Sequence, residues 1–228
     1  MIGEQLKSLR HRIEKAQSLC RDGGGCTLIG VCKRQAPEKV LQACELGVLD
    51  LGENTVQGLE QTDAFLRERG VRPRWHFVGR LQRNKVKRLL GFSPLIHSLD
   101  RLSLAEEISK RATKRTDVLI QVNIGEEAQK GGVAPTDTLE FAQALGKWDG
   151  LRLRGLMAIP PAGQPSGPYF EKLRILSQKL RATDFGHGAT ELSMGMSNDF
   201  EAAIEMGSTM IRVGTSLFGE REQAMKLS

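Results

Sequence analysis

Tyrosine occurs once in the 228 residues, and cysteine and histidine four times each. Each scarcity removes a class of function. The densest positive stretch, Arg80-Leu81-Gln82-Arg83-Asn84-Lys85-Val86-Lys87-Arg88, contributes much of the net charge of +6 but carries no aromatic side chain on which a base could stack. Nucleic acid is therefore not an expected partner; a solvated helix face beside an anionic ligand fits the run better. The cysteines, Cys20, Cys26, Cys32 and Cys44, make no C-x-x-C pair and have no histidine at ligand spacing, which argues against a zinc site or a disulfide framework. His11, His76, His97 and His187 form no H-E-x-x-H motif. No apolar run approaches the ~20 residues needed to cross a bilayer. The opening Met1-Ile2-Gly3-Glu4-Gln5-Leu6-Lys7 is too mixed in charge for a secretory signal, so a cytoplasmic location is expected.

What remains is an ordinary soluble composition, 39% apolar, in which strand and helix signals alternate. Ile2, Leu6, Leu9, Ile13, Ala16 and Leu19 are spaced for one amphipathic helix over residues 2–20. Thr27 to Lys33 reads as a buried strand after the turn-prone Asp22-Gly23-Gly24-Gly25. Further strands are expected at 48–52, 74–78, 94–98, 117–123, 151–157, 191–194 and 210–213. Helices are expected at 37–46, 56–69, along the basic run, at 101–114 behind an Asp100 cap, at 135–148, at 169–181, from Asn198 or Asp199 to Met206, and briefly after Thr215. No Asn-Gly hairpin signal interrupts the alternation, and parallel strands require such crossovers. About eight βα units fit a single α/β domain, a TIM (β/α)8 barrel with an extra N-terminal helix. The alternative, a doubly wound sheet, wants G-x-G-x-x-G after the first strand, whereas Gly23-Gly24-Gly25 precede it.

In such a barrel chemistry collects at the carboxyl ends of the strands. That rim carries Lys33, Asn54, His76, Met157, the Ser193-Met194-Gly195-Met196-Ser197 segment, Arg212, Gly214 and Thr215. Lys33 shares a strand face with Val31 and Ile29; facing inward, its amine is partly desolvated and available for Schiff-base chemistry, and facing outward it is a solvated strand end. Arg212 alternates with Ile211 and Val213, so it points inward if they face the helices, toward a ligand or an acidic partner such as Glu53 or Glu191. The segments after strands seven and eight are either ordinary glycine turns or a phosphate nest. Lysine, arginine and nest together suit a phosphorylated aldehyde with a ring nitrogen, which describes pyridoxal phosphate (PLP).

Several motifs in order resemble those of the pyridoxal phosphate homeostasis protein family. They are Gly30-Val31-Cys32-Lys33, with Cys where Ser is usual; Leu51-Gly52-Glu53-Asn54-Thr55-Val56-Gln57; Trp75-His76-Phe77-Val78-Gly79-Arg80-Leu81-Gln82-Arg83-Asn84-Lys85; Leu192-Ser193-Met194-Gly195-Met196-Ser197-Asn198-Asp199; and Gly207-Ser208-Thr209-Met210-Ile211-Arg212-Val213-Gly214-Thr215. The resemblance implies a barrel like the N-terminal domain of alanine racemase, with PLP held as a covalent aldimine on Lys33. It implies Arg212 at the pyridine nitrogen, Ser193, Ser197, Gly214 and Thr215 around the phosphate, Asn54, His76 and Met157 along the ring, and Met194 among the cofactor-binding residues. Asn54 and His76 also read as a turn residue and a core histidine. Cys32 lies on the face opposite Lys33, so the aldimine is expected to survive that change.

Two functions compete: an amino-acid racemase or related PLP enzyme, and a carrier that holds the cofactor and passes it on. An arginine at the ring nitrogen weakens the electron sink that carbanion chemistry needs. Tyr169, the sole tyrosine, reads as a packing residue at a helix start rather than a second catalytic base. The expectation is a non-enzymatic, monomeric PLP-homeostasis protein of the cytoplasm, with acceptor PLP enzymes as partners and no membrane contact. The basic run offers a surface on which an acceptor could dock.

Overall fold

A computed structural model describes residues 1–20 and 24–219. The turn read at 22–25 falls partly outside these residues. Eight strands form one closed barrel in sequence order: β1 (Thr27–Val31), β2 (Asp50–Glu53), β3 (Arg74–Phe77), β4 (Leu95–Leu99), β5 (Thr116–Val122), β6 (Leu151–Ala158), β7 (Glu191–Met196) and β8 (Met210–Val213). Every neighbour pairs in parallel, and β8 returns to β1 with Ile29 opposite Arg212. Helices α2 (Pro37–Glu45), α3 (Val56–Glu68), α4 (Val86–Leu90), α5 (Leu102–Arg111), α6 (Thr138–Leu145), α7 (Gly167–Arg181), α8 (Phe200–Glu205) and α9 (Thr215–Phe218) connect or follow the strands. The expected (β/α)8 architecture is therefore present, and no described helix is long and apolar enough to cross a membrane.

The leading helix α1 (Ile2–Ser18) buries Ile2, Leu6, Leu9, Ile13 and Ala16 on one stripe, while Leu19 stays exposed beyond its end. It packs on α2, α8 and α9. α9 has only one turn, too short to cover the β8–β1 seam, and α1 lays its apolar face there instead. Arg12 of α1 fixes the contact by pairing with Glu201 and stacking 4.6 Å over the Phe200 ring. Each fully buried leucine on that stripe contributes roughly 1.5–3 kcal/mol.

The helix signals resolve locally. Pro37 opens α2 where its missing N–H costs nothing, and Thr55 caps α3 by accepting from the Gly58 N–H at 3.1 Å. Asp100 does not cap α5; its carboxylate accepts from the Arg101 guanidinium at 2.6 Å, and Arg101 occupies the cap position. The basic run divides into a 3-10 turn, Arg83–Lys85, followed by α4. A 3-10 turn at Pro135–Asp137 likewise precedes α6.

Inside and outside are set by glycines that leave room. A Cβ on Gly30 would meet Leu217, Val48 and Phe218, so Gly30 faces the helices and Ile29 and Val31 face the barrel axis. Gly155 makes a β-bulge: its φ is +152°, and a Cβ there would stand 1.9 Å from the Glu191 carbonyl oxygen. Beyond the bulge Met157 pairs with Ser193, which places both on the inner face.

Candidate functional site

The barrel interior is not a dry aliphatic plug. It holds a buried polar chain built from five strands. Asp50 opens β2, His76 sits in β3, His97 in β4, Ser193 in β7 and Arg212 in β8. His76 Nε2 lies 3.1 Å from Asp50 Oδ1, and His76 Nδ1 lies 2.9 Å from His97 Nε2. His97 Nδ1 is 2.8 Å from Ser193 Oγ, to which Arg212 Nη1 donates at 2.6 Å. Arg212 Nη2 donates to the Ala158 carbonyl at 3.0 Å, at the carboxyl end of β6. At the other end, Arg74 Nε and Nη2 hold Asp50 at 2.8 and 2.5 Å. The chain thus climbs from the amino-terminal edge of β2 to the carboxyl end of β8.

Electrostatics follow from that burial. Burial alone would raise the Asp50 carboxyl, but hydrogen bonds from His76 and Arg74, with the Arg74 charge, outweigh it and bring it down to about 2. His97 is fully enclosed; burial first, with the charge of Arg212 nearby, pushes it well below the usual histidine range, so it is neutral. Burial lowers Arg212 to about 10, with Asp199 countering, and it remains a cation at neutral pH. A buried guanidinium is costly unless its N–H groups are used, and Ser193 and Ala158 take only two of the five.

Around Arg212 lies the rim. Lys33 stands two residues past β1, half-buried, in a turn closed by the Gln35 N–H donating to the Cys32 carbonyl at 3.0 Å. The strand ends at Val31 rather than continuing to Lys33, because Arg34 adopts φ +57° and the chain turns. Strand alternation therefore does not orient Lys33. Burial raises the Glu53 carboxyl, and the Asn54 N–H, Cys32 and the Lys33 charge oppose that rise. Cys32 is buried, with its thiol 3.4 Å from the Gly52 carbonyl. The loops after β7 and β8 are tied together: the Ser216 N–H donates to Ser197 Oγ at 3.3 Å, and Ser216 Oγ to the Ser197 carbonyl at 3.4 Å. Gly214 lies against β1, where a Cβ would come within 3.4 Å of the Val31 carbonyl oxygen. Gly195 lets β7 approach α8: its φ is +92°, and a Cβ there would stand only 2.6 Å from that of Ala203.

The expected site residues thus fall into three groups. Ser197, Gly214 and Thr215 meet on one rim loop pair, beside the end of β1 that leads to Lys33. Arg212, Ser193, Met157 and His76 lie inside the barrel, the Ser193 hydroxyl being taken up by Arg212 and His97 rather than presented at the mouth. Met194 and Asn54 go elsewhere. Met194 is buried on the outer face of β7 against the helices, and only its backbone is available; its carbonyl accepts from Ser208 at 2.8 Å. Asn54 is exposed and lines a separate cavity of about 310 Å³ with Phe77, Arg80, Gln82 and Lys85. Sequence reasoning misses Asp50, His97 and Ser216. His97 carries a signal, a histidine inside an otherwise apolar strand; Asp50 and Ser216 carry none beyond their strand-edge and loop positions. Tyr169 sits in the first turn of α7, and its hydroxyl donates to Gln164.

Comparison with known proteins decides the family. Residues 5–222 match the family described as alanine racemase, N-terminal domain. A pyridoxal phosphate homeostasis protein of Aquifex aeolicus is 43% identical over 226 residues, 96% of this chain and 98% of that one. The chain belongs to the pyridoxal phosphate homeostasis protein family. A relative of the same name from Escherichia coli is 36% identical over 236 residues, 99% of each chain. Among solved structures, PipY of Synechococcus elongatus with PLP bound has a TM-score of 0.84 at 31% identity, covering 96% of this chain and all of that one. Alanine racemase from Corynebacterium glutamicum, at 15% identity and a TM-score of 0.63, shares the fold.

Proposed function

We propose that this protein holds PLP covalently through Lys33 at the barrel mouth, buffers it in the cytoplasm as a monomer, and releases it to PLP-dependent acceptor enzymes without turning over an amino-acid substrate of its own. The observation that carries the reading is the placement of a buried guanidinium, Arg212, held by Ser193 and Ala158, below a rim that bears Lys33 on one side and the Ser197–Gly214–Thr215–Ser216 loops next to it. The relatives' name and PLP-bound PipY support it.

The donor set suits the ligand's chemistry. A phosphate dianion is matched by the backbone N–H groups and hydroxyls of Ser197, Gly214, Thr215 and Ser216. A pyridine nitrogen is an acceptor, and Arg212 has N–H groups left to donate. A primary amine at Lys33 suits an aldehyde. When bound, PLP supplies a reactive aldehyde and an electron-withdrawing ring. Arg212 can donate to the ring nitrogen but is too basic to protonate it, which holds that sink at low strength. Tyr169, bonded to Gln164, is engaged away from the Arg212 chain. Ile29 and Val31 wall the inner face below Lys33 and exclude water from it.

Purified protein loaded with PLP and presented with a panel of L-amino acids should show no fast racemisation or decarboxylation, and should reactivate an added apo PLP enzyme. Rapid turnover of any amino acid in the panel, or failure to reactivate an acceptor, overturns the carrier reading.

A further inference from the structure

We propose that Asp50, His76, His97 and Ser193 form a one-directional hydrogen-bond relay that positions the Arg212 guanidinium, with His97 as its central positioning residue. In assigning Arg212 to a bound ligand, this rests on the function proposed above; the relay itself does not.

The direction follows from which ends can only donate or only accept. A guanidinium has no acceptor, so Ser193 Oγ accepts from Arg212 Nη1. A carboxylate has no donor, so the hydrogen between His76 and Asp50 belongs to His76 Nε2. The relay takes His76 with a single ring hydrogen, on Nε2, so its Nδ1 is bare and the hydrogen in the 2.9 Å contact belongs to His97 Nε2. A neutral His97 in turn offers a bare Nδ1, and the Ser193 hydroxyl donates to it across 2.8 Å. Each contact then contains one hydrogen, and no ring nitrogen is left over. Reversing a single link puts two hydrogens in one contact and none in the next, so with neutral rings this is the only consistent arrangement. Both histidines carry their hydrogen on Nε2.

The arrangement has a consequence for Arg212. The Ser193 hydroxyl has its hydrogen committed to His97, so its lone pairs face the guanidinium and hold one edge of it. The Ala158 carbonyl holds another. The remaining N–H groups are left at a fixed heading. Asp50, clamped by Arg74, terminates the relay and fixes which tautomer every member adopts. Asp50 and Arg74 open β2 and β3 at the end of the barrel opposite the rim, yet both act on the group that meets the ligand. An isolated buried histidine would not do this, since its ring could turn over without any partner objecting.

Two measurements decide it. In ring-15N-histidine spectra of the full chain at neutral pH, assigned with His76→Gln and His97→Gln, both residues should show a bare Nδ1 and a protonated Nε2. An Nδ1–H tautomer or an imidazolium at either position overturns the relay, whether or not PLP binds. In the second, Ser193→Ala should weaken PLP binding by about tenfold, shift the absorption maximum of the bound cofactor, and disturb the His97 tautomer signal, while Ser193→Thr, which keeps the hydroxyl, restores all three. If Ser193→Ala leaves binding and spectrum as in the parent, Arg212 is positioned by other means and the proposal fails. If the parent itself binds no PLP, the function proposed above fails and the ring spectra still decide the relay.

Discussion

Acidification should unload stability from the protein through one residue, His97. Its ordinary value is 6.5, and in the folded state it lies well below that because the ring is buried and faces His76 and Arg212. A depressed folded value means that the unfolded chain takes up the proton first, so the stabilisation is complete above pH 6.5 and drains away as the pH falls below it. While the folded ring stays neutral, each pH unit well below that point is worth about 1.4 kcal/mol. Against a typical total of roughly 5–15 kcal/mol this is large. Asp50 does not overlap the window, because its contribution begins to fade only near its ordinary 3.8 and continues toward 2. Glu53, whose value is raised, works in the opposite direction near 4.5. Comparison with a non-titrating near-isostere, His97→Gln, cancels both. Urea unfolding at pH 7.5, 6.5, 5.5 and 4.5 should give a steep fall for the parent and a flatter line for the variant. Equal slopes would show that His97 is not the neutral, enclosed ring described here.

Other consequences are local. Leu6→Ala on α1 should cost about 2–5 kcal/mol in urea unfolding, because Leu6 is 2% exposed and the seam it covers has only the short α9 beside it. Gly195→Ala should cost about 1–3 kcal/mol and lower PLP retention in equilibrium dialysis, since the new methyl meets Ala203 and Phe200 and displaces the loop leading to Ser197. Charge reversal at Arg80 and Lys85, neither of which makes an ion pair among the described residues, should slow delivery of PLP to an apo enzyme severalfold and leave its retention unchanged. Unaltered transfer would remove the basic run from any docking role.

Much of the barrel is readable in the chain because each strand is a short apolar run closed by a turn residue and followed by a helix signal. Thr27-Leu28-Ile29 and Met210-Ile211 carry their own burial in their side chains. The proposed site is readable where unusual residues stand at strand ends, as with Lys33, Arg212 and the Gly214–Thr215 turn. It is not readable where closure of the barrel makes the neighbours. His97 and Ser193 are 96 positions apart, and nothing local announces their contact. Alternation misleads where the backbone departs from it, since the left-handed Arg34 ends β1 before Lys33; it holds at Met194, which points outward beside an inward Ser193. Asp100 has the right chemistry for a helix cap but an arginine next to it with a stronger claim on its carboxylate.

The claim on which the rest depends is that the amine of Lys33 carries the cofactor. Protein saturated with PLP, reduced with borohydride and digested, should yield a single phosphopyridoxylated peptide containing Lys33, and Lys33→Ala should bind no chromophore that survives reduction. Label on a different lysine in the parent, or a reducible yellow species retained by Lys33→Ala, would contradict it.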